Sequence, residues 1–434
     1  MEPINPFQGP GDSAGALIPH LFRREFTRIV AVLSRLFGIE HIGIAEDIAG
    51  ETFLSALETW PYKGVPPNPT AWLYAIAKNK TRNYLHRDQV FKSKVAPAVK
   101  HAAAGEAGAL AAGAVAAADL EIDLSEANIS DSQLRMLFAV CHPSVPPEAQ
   151  ICLALRILCG FGIEEIATAF LTNKETINKR LFRAREKLRV EKAELEFPQG
   201  AELTRRLEPV LLTLYLLYNE GYYSESQDTV LREDLCAEAM RLTGLLLEDR
   251  TTQLPAVDAL FSLMCFHASR FPARKGENGE MILYGDQDES RWDQQLIARG
   301  AFHLHRASKG NVLTKYHLEA SIAYWHTIKP DSAEKWENIL QLYNHLLAMA
   351  YSPIAALNRT FALWRARGNR KDAIAAGETL QLTDNPYYYT LLGELYTGVD
   401  AGKAMEHYRQ ALSLARTSAD KGAIQRAIDA LGAG

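Results

Sequence analysis

The segment from Pro147 to Val190, PEAQICLALRILCGFGIEEIATAFLTNKETINKRLFRAREKLRV, constrains the fold more than any other stretch. Ile151, Leu153, Leu155 and Leu158 predict a first helix over 149–158. Gly160 and Gly162 bracket a break, because glycine adopts the φ > 0 backbone that ends helices. A short helix follows, with Ile163, Ile166, Ala167 and Phe170 on one face. Thr172 or Asn173 then caps a last helix, and Glu175 stands three residues after Thr172, as a capping box requires. That helix buries Ile177, Leu181, Ala184 and Leu188. Its other faces carry Lys174, Lys179, Arg180, Arg183, Arg185, Lys187 and Arg189.

Helix, short turn, basic helix is the helix-turn-helix arrangement. With seven basic and two acidic residues, the last helix stands near +5 in a chain of net charge −5. Charge so localised reads either as a solvated amphipathic face or as a phosphate-contacting surface. The Ile-Ala-x-x-Phe pattern before the turn and Thr-Ile-x-x-Arg-Leu after it favour DNA.

At 434 residues the chain is long enough for two to four domains. Its 47% apolar and 23% charged composition is that of a soluble globular protein. No run reaches the ~18 apolar residues of a membrane span, and the N-terminal stretch lacks the basic and apolar segments of a secretory signal. No membrane partner and a cytoplasmic location are therefore expected. Five scattered cysteines without a CxxC pair read as reduced, buried thiols. Cys141-His142 has no second ligand pair at zinc spacing. The twelve histidines find no carboxylate or cysteine partner in the sequence pattern, and no phosphate-binding glycine loop occurs. No catalytic, metal or cofactor residue is assigned, and the chain is not expected to be an enzyme.

Residues 15–90 read as one helical domain. A first helix spans 18–37, with Leu21, Phe22, Phe26, Ile29, Val30, Leu33 and Leu36 apolar, and Gly38 ends it. A second spans 42–59, with Ile44, Ile48, Phe53, Leu54 and Leu57 as its buried stripe and Glu46, Asp47, Glu51 and Glu58 outward. Trp60 to Pro69 is a loop by composition. A third helix runs over 70–87, and Asn79, Lys80 and Asn83 share a polar face on it. Trp72 and Tyr74 read first as packing aromatics.

The 147–190 segment resembles region 4 of an RNA polymerase sigma factor of the extracytoplasmic-function type (group IV). The phrases AEDIAGETF (45–53) and NPTAWLYAIAKN (68–79) resemble sigma region 2 and are the more specific half of the match. Region 2 followed by region 4 is stronger than either alone. The resemblance implies that the acidic second helix, through Glu46, Asp47 and Glu51, docks on the clamp of the polymerase β′ subunit. It implies a further contact with the β flap. It implies that Tyr62, Lys63 and Asn68 of the loop and Asn79, Lys80, Arg82 and Asn83 of the third helix melt the −10 element. Lys174, Thr176, Lys179, Arg180, Arg183 and Lys187 would meet the −35 element. Arginine pairs bidentately with guanine, and lysine more often takes phosphate.

Residues 91–125 form a linker; HAAAGEAGALAAGAVAAAD within it is nearly all Ala and Gly and reads as a mobile or weakly helical tether. Residues 126–195 hold region 4, opened by a helix over 131–140 and the stiff turn Cys141 to Glu148. That turn, and LYLLYNEGYYSES (214–226), resemble the sigma subgroup with a long C-terminal extension. The extension, 202–434, reads as helical throughout, with patterns at 231–247, 254–271, 292–308 and 311–327 and a small excursion or hairpin around Met281 to Tyr284. Asp286 to Ser290 reads as a turn and helix cap. Near the end, Tyr389, Leu392, Gly393, Tyr396, Ala404, Tyr408 and Ala411 fit the tetratricopeptide pattern, preceded by Trp364, Ala373, Leu380 and Pro386. Such stacks present a concave face, suited to a regulatory protein or peptide.

The whole reads as an all-α sigma factor that binds core RNA polymerase and promoter DNA, with activity modulated by its C-terminal domain. The alternative is a stand-alone helix-turn-helix regulator with a ligand- or peptide-sensing repeat domain.

Overall fold

The computed structural model describes residues 10–90, 122–170, 172–222, 232–274, 282, 284–328 and 330–432. The Ala/Gly-rich tether at 101–119, the Tyr223-Ser224 end of the NEGYYS phrase, and Met281 and Leu283 of the Met281–Tyr284 run lie outside them. Every regular element among the described residues is helical. The contacts divide the chain into two units, 1–213 and 214–434.

In the first unit, α1 (Pro10–Phe37) packs along α2 (Ile42–Lys63), and α3 (Pro69–Val90) closes the group. The stripe of α2 that meets its neighbours is Ala45, Ile48, Ala49, Thr52, Phe53, Ala56 and Trp60. Small residues let the axes approach closely, so the contact centres on alanines. Leu54 and Leu57, expected in the stripe, are instead about half exposed at 53% and 52%. α2 also runs past the expected end at Thr59. Pro61 forfeits one backbone bond in the last turn, but Trp60 is only 1% exposed and meets Trp72 edge to face at 5.5 Å. The loop thus shrinks to five residues, Gly64 to Asn68.

Four helices follow: α4 (Glu126–Val140), α5 (Pro147–Leu153), α6 (Ile163–Ala169) and α7 (Lys174–Val190). α4 begins five residues before the expected Asp131, because Ser125 accepts the Asn128 N–H and is itself braced by Asp123. α5 runs into one π turn, Ala154–Leu158, closed by the Cys159 N–H on the Ala154 carbonyl at 3.1 Å. Gly160 then takes φ 71°, and a Cβ there would sit 3.0 Å from the Arg23 carbonyl and 3.2 Å from Thr27 Cγ2. Only glycine lets this turn rest on the backbone of α1. Phe161 behind it is fully buried, with the Arg23 guanidinium 4.7 Å above its ring.

The helix α8 (Ala201–Tyr222) crosses the boundary between the units. Its first three turns belong to the first unit through Leu203, Leu207 and Val210. There Arg206 donates to the Phe138 carbonyl at 2.7 Å and Thr213 donates to Gln150 Oε1 at 2.8 Å. Gln150 in turn donates to the carbonyls of His142 and Val145, fastening the Cys141–Glu148 turn. The sequence boundary at 202 therefore falls at the start of a helix that completes the first unit.

The second unit holds the rest of α8, then α9 (Glu233–Glu248), α10 (Pro255–Ala268), the short α11 (Phe271–Arg274), α12 (Gln294–Ala307), α13 (Lys315–Trp325) and α14 (Ala333–Met349). α15 (Pro353–Arg367), α16 (Arg370–Glu378), α17 (Pro386–Tyr396), α18 (Ala401–Leu414) and α19 (Ser418–Gly432) complete it. α10 is apolar on nearly every side and is covered by α9, α12 and α13. From α14 onward each helix packs chiefly on its sequence neighbours. Ser352 and Asn385, which cap α15 and α17, stand 33 residues apart, and Ala373, Ala404 and Ala411 are wholly buried between helices. Gly393 lets Tyr408 lie against α17, since a Cβ there would meet the ring at 2.8 Å. His303, unpartnered in the sequence reading, meets the buried Asp258 carboxylate at 2.7 Å. Arg306 pairs with the same Asp258 at 3.3 Å, joining α10 to α12.

Burial, and then the nearby Arg270, push His326 down to about 3, and burial lowers His267 as well. An unfolded histidine titrates near ~6.5, so below that pH the unfolded chain takes up protons that the folded chain refuses. Stability should therefore fall as pH drops below about 6.5, by ~1.4 kcal/mol per pH unit for each such histidine. Urea unfolding at pH 7.5, 5.5 and 4.5 measures the slope, which His326→Gln should make shallower.

Candidate nucleic-acid interface

α7 starts where Asn173 accepts the Thr176 N–H at 2.8 Å. Of the two caps allowed by the sequence, Asn173 is used. Ahead of it, α6 is held by Glu165, which accepts the Gly162 N–H at 2.7 Å. Ile166 and Ala167 of α6 and Ile177, Leu181, Ala184 and Leu188 of α7 form the shared core. This is the expected helix-turn-helix, and it fixes the roll of α7.

That roll sorts the basic residues. Arg180 turns back onto its own domain, with its guanidinium 3.1 Å from Glu148, 3.8 Å from Cys152 Sγ and over the Phe170 ring. Lys174 pairs with Glu164, Lys187 with Glu191 at 3.3 Å, and Arg189 with Glu186 at 2.5 Å. Arg185 reaches Glu46 on α2 at 3.0 Å. Among the described residues, Lys179 and Arg183 are the cations of α7 without a carboxylate partner, and both are exposed. Thr176 is half-buried near the cap. Phe182, absent from the expected site, is 71% exposed between Lys179 and Arg183. Its position opposite the buried stripe could have been read from the helical period.

The second cluster surrounds the loop after α2. Tyr62 is 88% exposed, and Lys63 beside it is exposed in the last helical turn. Asn68 accepts the Ala71 N–H at 3.0 Å, so its side chain caps α3. Asn79, Arg82 and Asn83 are exposed along α3. Lys80 instead reaches Glu51 of α2 at 3.3 Å. Tyr74 donates to the buried Glu25 at 2.6 Å, and burial followed by that bond pushes its phenol well up.

The third cluster is the acidic face of α2. Asp47, Glu51, Leu54, Leu57 and Glu58 are exposed and form an apolar patch rimmed by carboxylates. The sequence reading missed the two leucines by assigning them to the core. Glu46, expected outward, is nearly buried, its carboxylate between Arg156 at 3.4 Å and Arg185 at 3.0 Å. All five cysteines are free and buried, and burial raises Cys141 to about 12. No grouping of three or more potential metal ligands occurs among the described residues, and none of their helices is long and apolar enough to cross a membrane.

The first unit thus joins a three-helix group to a packed helix-turn-helix whose last helix turns two unpaired cations outward. Comparison with known proteins gives the family. Residues 21–90 match sigma-70 region 2, residues 135–188 match sigma-70 region 4, and residues 206–308 match a family of unknown function, DUF6596. An uncharacterized protein of Rhizobium meliloti (strain 1021) is 30% identical over 398 residues, covering 91% of each chain. No solved structure matches. The chain belongs to the sigma-70 family, as a sigma factor of the extracytoplasmic-function type with a C-terminal helical extension. Its sigma regions assign it to transcription initiation, with core RNA polymerase and promoter DNA as partners.

The different settings of the α7 cations have a measurable consequence. Arg180→Ala should lower the stability of the first unit by about 1 kcal/mol, since it loses packing over Phe170 as well as a surface ion pair. Lys179→Ala and Arg183→Ala should stay within ~0.5 kcal/mol of the parent. Urea unfolding followed by far-UV circular dichroism checks both.

Proposed function

We propose that α7 enters the major groove of the −35 element with Lys179 and Arg183 foremost, and that the loop after α2 together with α3 handles the −10 element. The observation that carries this reading is the pair of unpartnered, exposed cations on the outer face of a packed helix-turn-helix. Arg183 is suited to bidentate contact with a guanine edge, and Lys179 to phosphate. Lys174, Arg180 and Lys187 then act mainly by holding the helix, with Thr176 beside its cap. On the −10 side, Tyr62 offers an unstacking surface, and Lys63, Asn79, Arg82 and Asn83 offer polar and cationic contacts to a single strand. Asn68 shapes that loop by capping α3, and Lys80 couples α3 to α2. Asp47, Glu51, Leu54 and Leu57 suit a clamp surface that is basic at its rim and apolar at its centre.

In the reconstituted holoenzyme, Arg183→Ala should weaken promoter binding by about 1–3 kcal/mol and relax selectivity at one position. Lys179→Ala should weaken binding evenly across sequences and reduce the salt slope by about one. Both should leave affinity for core polymerase unchanged. Unchanged promoter selection and salt dependence in the double variant would sink the assignment. Tight, selective binding to duplex DNA without polymerase would favour a stand-alone regulator.

We further propose that the second unit is a tetratricopeptide-like regulatory domain acting in cis, in a cytoplasmic protein. The 33-residue spacing of capped helices and the small residues between them support this reading. A chain ending at Thr213 keeps the helical turns that complete the first unit, whereas one ending at Ala201 loses them. The longer truncation product should fold and initiate transcription at a rate different from the full chain. Equal promoter output from both, under the same conditions, would remove the regulatory role.

A further inference from the structure

We propose that the second unit takes up an arginine side chain of a partner polypeptide, held by Glu319 among tyrosines and carboxamides from four helices. The regulatory reading of this unit, proposed above, underlies the assignment, which names the chemistry that its helical stack receives.

Three helical pairs build the cluster. Tyr215 and Asn219 stand one turn apart on α8, beyond Thr213 and so within the second unit. Lys315 and Glu319 stand one turn apart on α13, and Ile354 and Asn358 on α15. Residues four apart share a helix face, so each pair presents its side chains to one side. Glu319 acts electrostatically on the hydroxyls of both Tyr215 and Tyr343, which places it between α8 and α14. Asn219 flanks the Tyr215 hydroxyl, and Asn358 flanks that of Tyr343. Asn358 is exposed, and Tyr215, Asn219, Glu319 and Tyr343 are partly exposed, so the cluster reaches solvent.

Glu319 is the group that lacks a counter-charge. Burial pushes its carboxyl above the usual range, against the pull of Lys315. No ion pair joins it to Lys315 or to another of the described residues. The Lys315 ammonium lies on aromatic rings instead, 4.5 Å from the centre of Tyr215 and 5.2 Å from that of Tyr316. A carboxylate drawn out of water without a cation is costly to keep charged, and a ligand cation relieves that cost.

The surroundings choose among cations. The Glu319 carboxylate, the carbonyl oxygens of Asn219 and Asn358 and the hydroxyl oxygens of Tyr215 and Tyr343 can all accept hydrogen bonds. A guanidinium offers five N–H donors in one plane and stacks on aromatic faces, whereas an ammonium is a compact, strongly hydrated charge. The same helices already make both contacts within the chain. Lys315 rests on the Tyr215 ring, and the Asn344 carboxamide, next to Tyr343, accepts from the Arg359 guanidinium at 2.6 Å. Where α14 gives way to α15, Tyr351 and Ile354 are 70% and 49% exposed and add apolar surface beside Asn358. Free arginine has nothing to place there, but the side chains flanking an arginine in a polypeptide do.

The test uses the full chain and the peptide acetyl-Leu-Ala-Arg-Ala-Leu-amide, titrated by ligand-detected NMR. A matched peptide carries citrulline, which keeps the shape of arginine but is neutral. The arginine peptide should bind at least about tenfold more tightly, the scale of a charge-assisted hydrogen bond. Glu319→Gln, which keeps the side-chain volume, should abolish that preference. Asn358→Ala, at an exposed position, should weaken binding about threefold, and Lys315→Met should tighten it by removing a like charge. Equal binding of the two peptides overturns the site, as does a preference that survives Glu319→Gln. N-acetyl-arginine amide binding as tightly as the peptide overturns the polypeptide partner in favour of a small guanidinium ligand. Promoter output of the reconstituted holoenzyme is then read with and without saturating arginine peptide. Unchanged output alongside the expected binding removes the regulatory reading and upholds the guanidinium site.

Discussion

The first unit depends on one close contact, the rest of the Gly160 turn on the backbone of α1. A Cβ at this position would press on the Arg23 carbonyl at 3.0 Å, and the positive φ disfavours most residues in any case. From that contact the other features follow. Phe161 is driven into the core, Arg23 is drawn over its ring, and the π turn brings the chain to the right place one residue late. The turn also brings Arg156 of the π segment toward Glu46, so a backbone approach becomes an electrostatic one.

Charge on the recognition helix is divided by geometry and not by composition. Seven basic residues look alike in the sequence, but the buried stripe of Ile177, Leu181, Ala184 and Leu188 fixes the roll of the helix and thereby their surroundings. Five are engaged with carboxylates on four different segments, and they stabilise the scaffold. The two that remain present their charge outward. The field that a phosphate backbone would meet is therefore smaller than the nominal charge suggests, and it is better aimed.

Much of this was legible in the sequence. The helical period, the Asn173 cap and the glycine breaks gave the helix-turn-helix, and two sequence phrases gave the region 2 likeness. What was not legible has physical reasons. The contact stripe of α2 is built on Ala45, Ala49 and Ala56, and a search for large apolar residues picks Leu54 and Leu57 instead. A proline in the last helical turn reads as a loop until the burial of Trp60 is known. The Glu46–Arg185 pair joins positions 139 residues apart, and nothing local signals it. The His303–Asp258 contact, between helices 45 residues apart, was hidden in the same way. For the sites themselves, sequence supplied the helices, while the side chains free to act needed the packing.

The Trp60–Trp72 pair has an optical consequence. The sequence places these two tryptophans in the first unit and the other four, Trp292, Trp325, Trp336 and Trp364, in the second. The two indoles lie edge to face where α2 ends and α3 begins, and they frame the short loop that carries Gly64 to Asn68. The intrinsic fluorescence of the first unit is therefore concentrated at this loop. The chain thus carries its own chromophore at the loop proposed above for the −10 element, without any added dye.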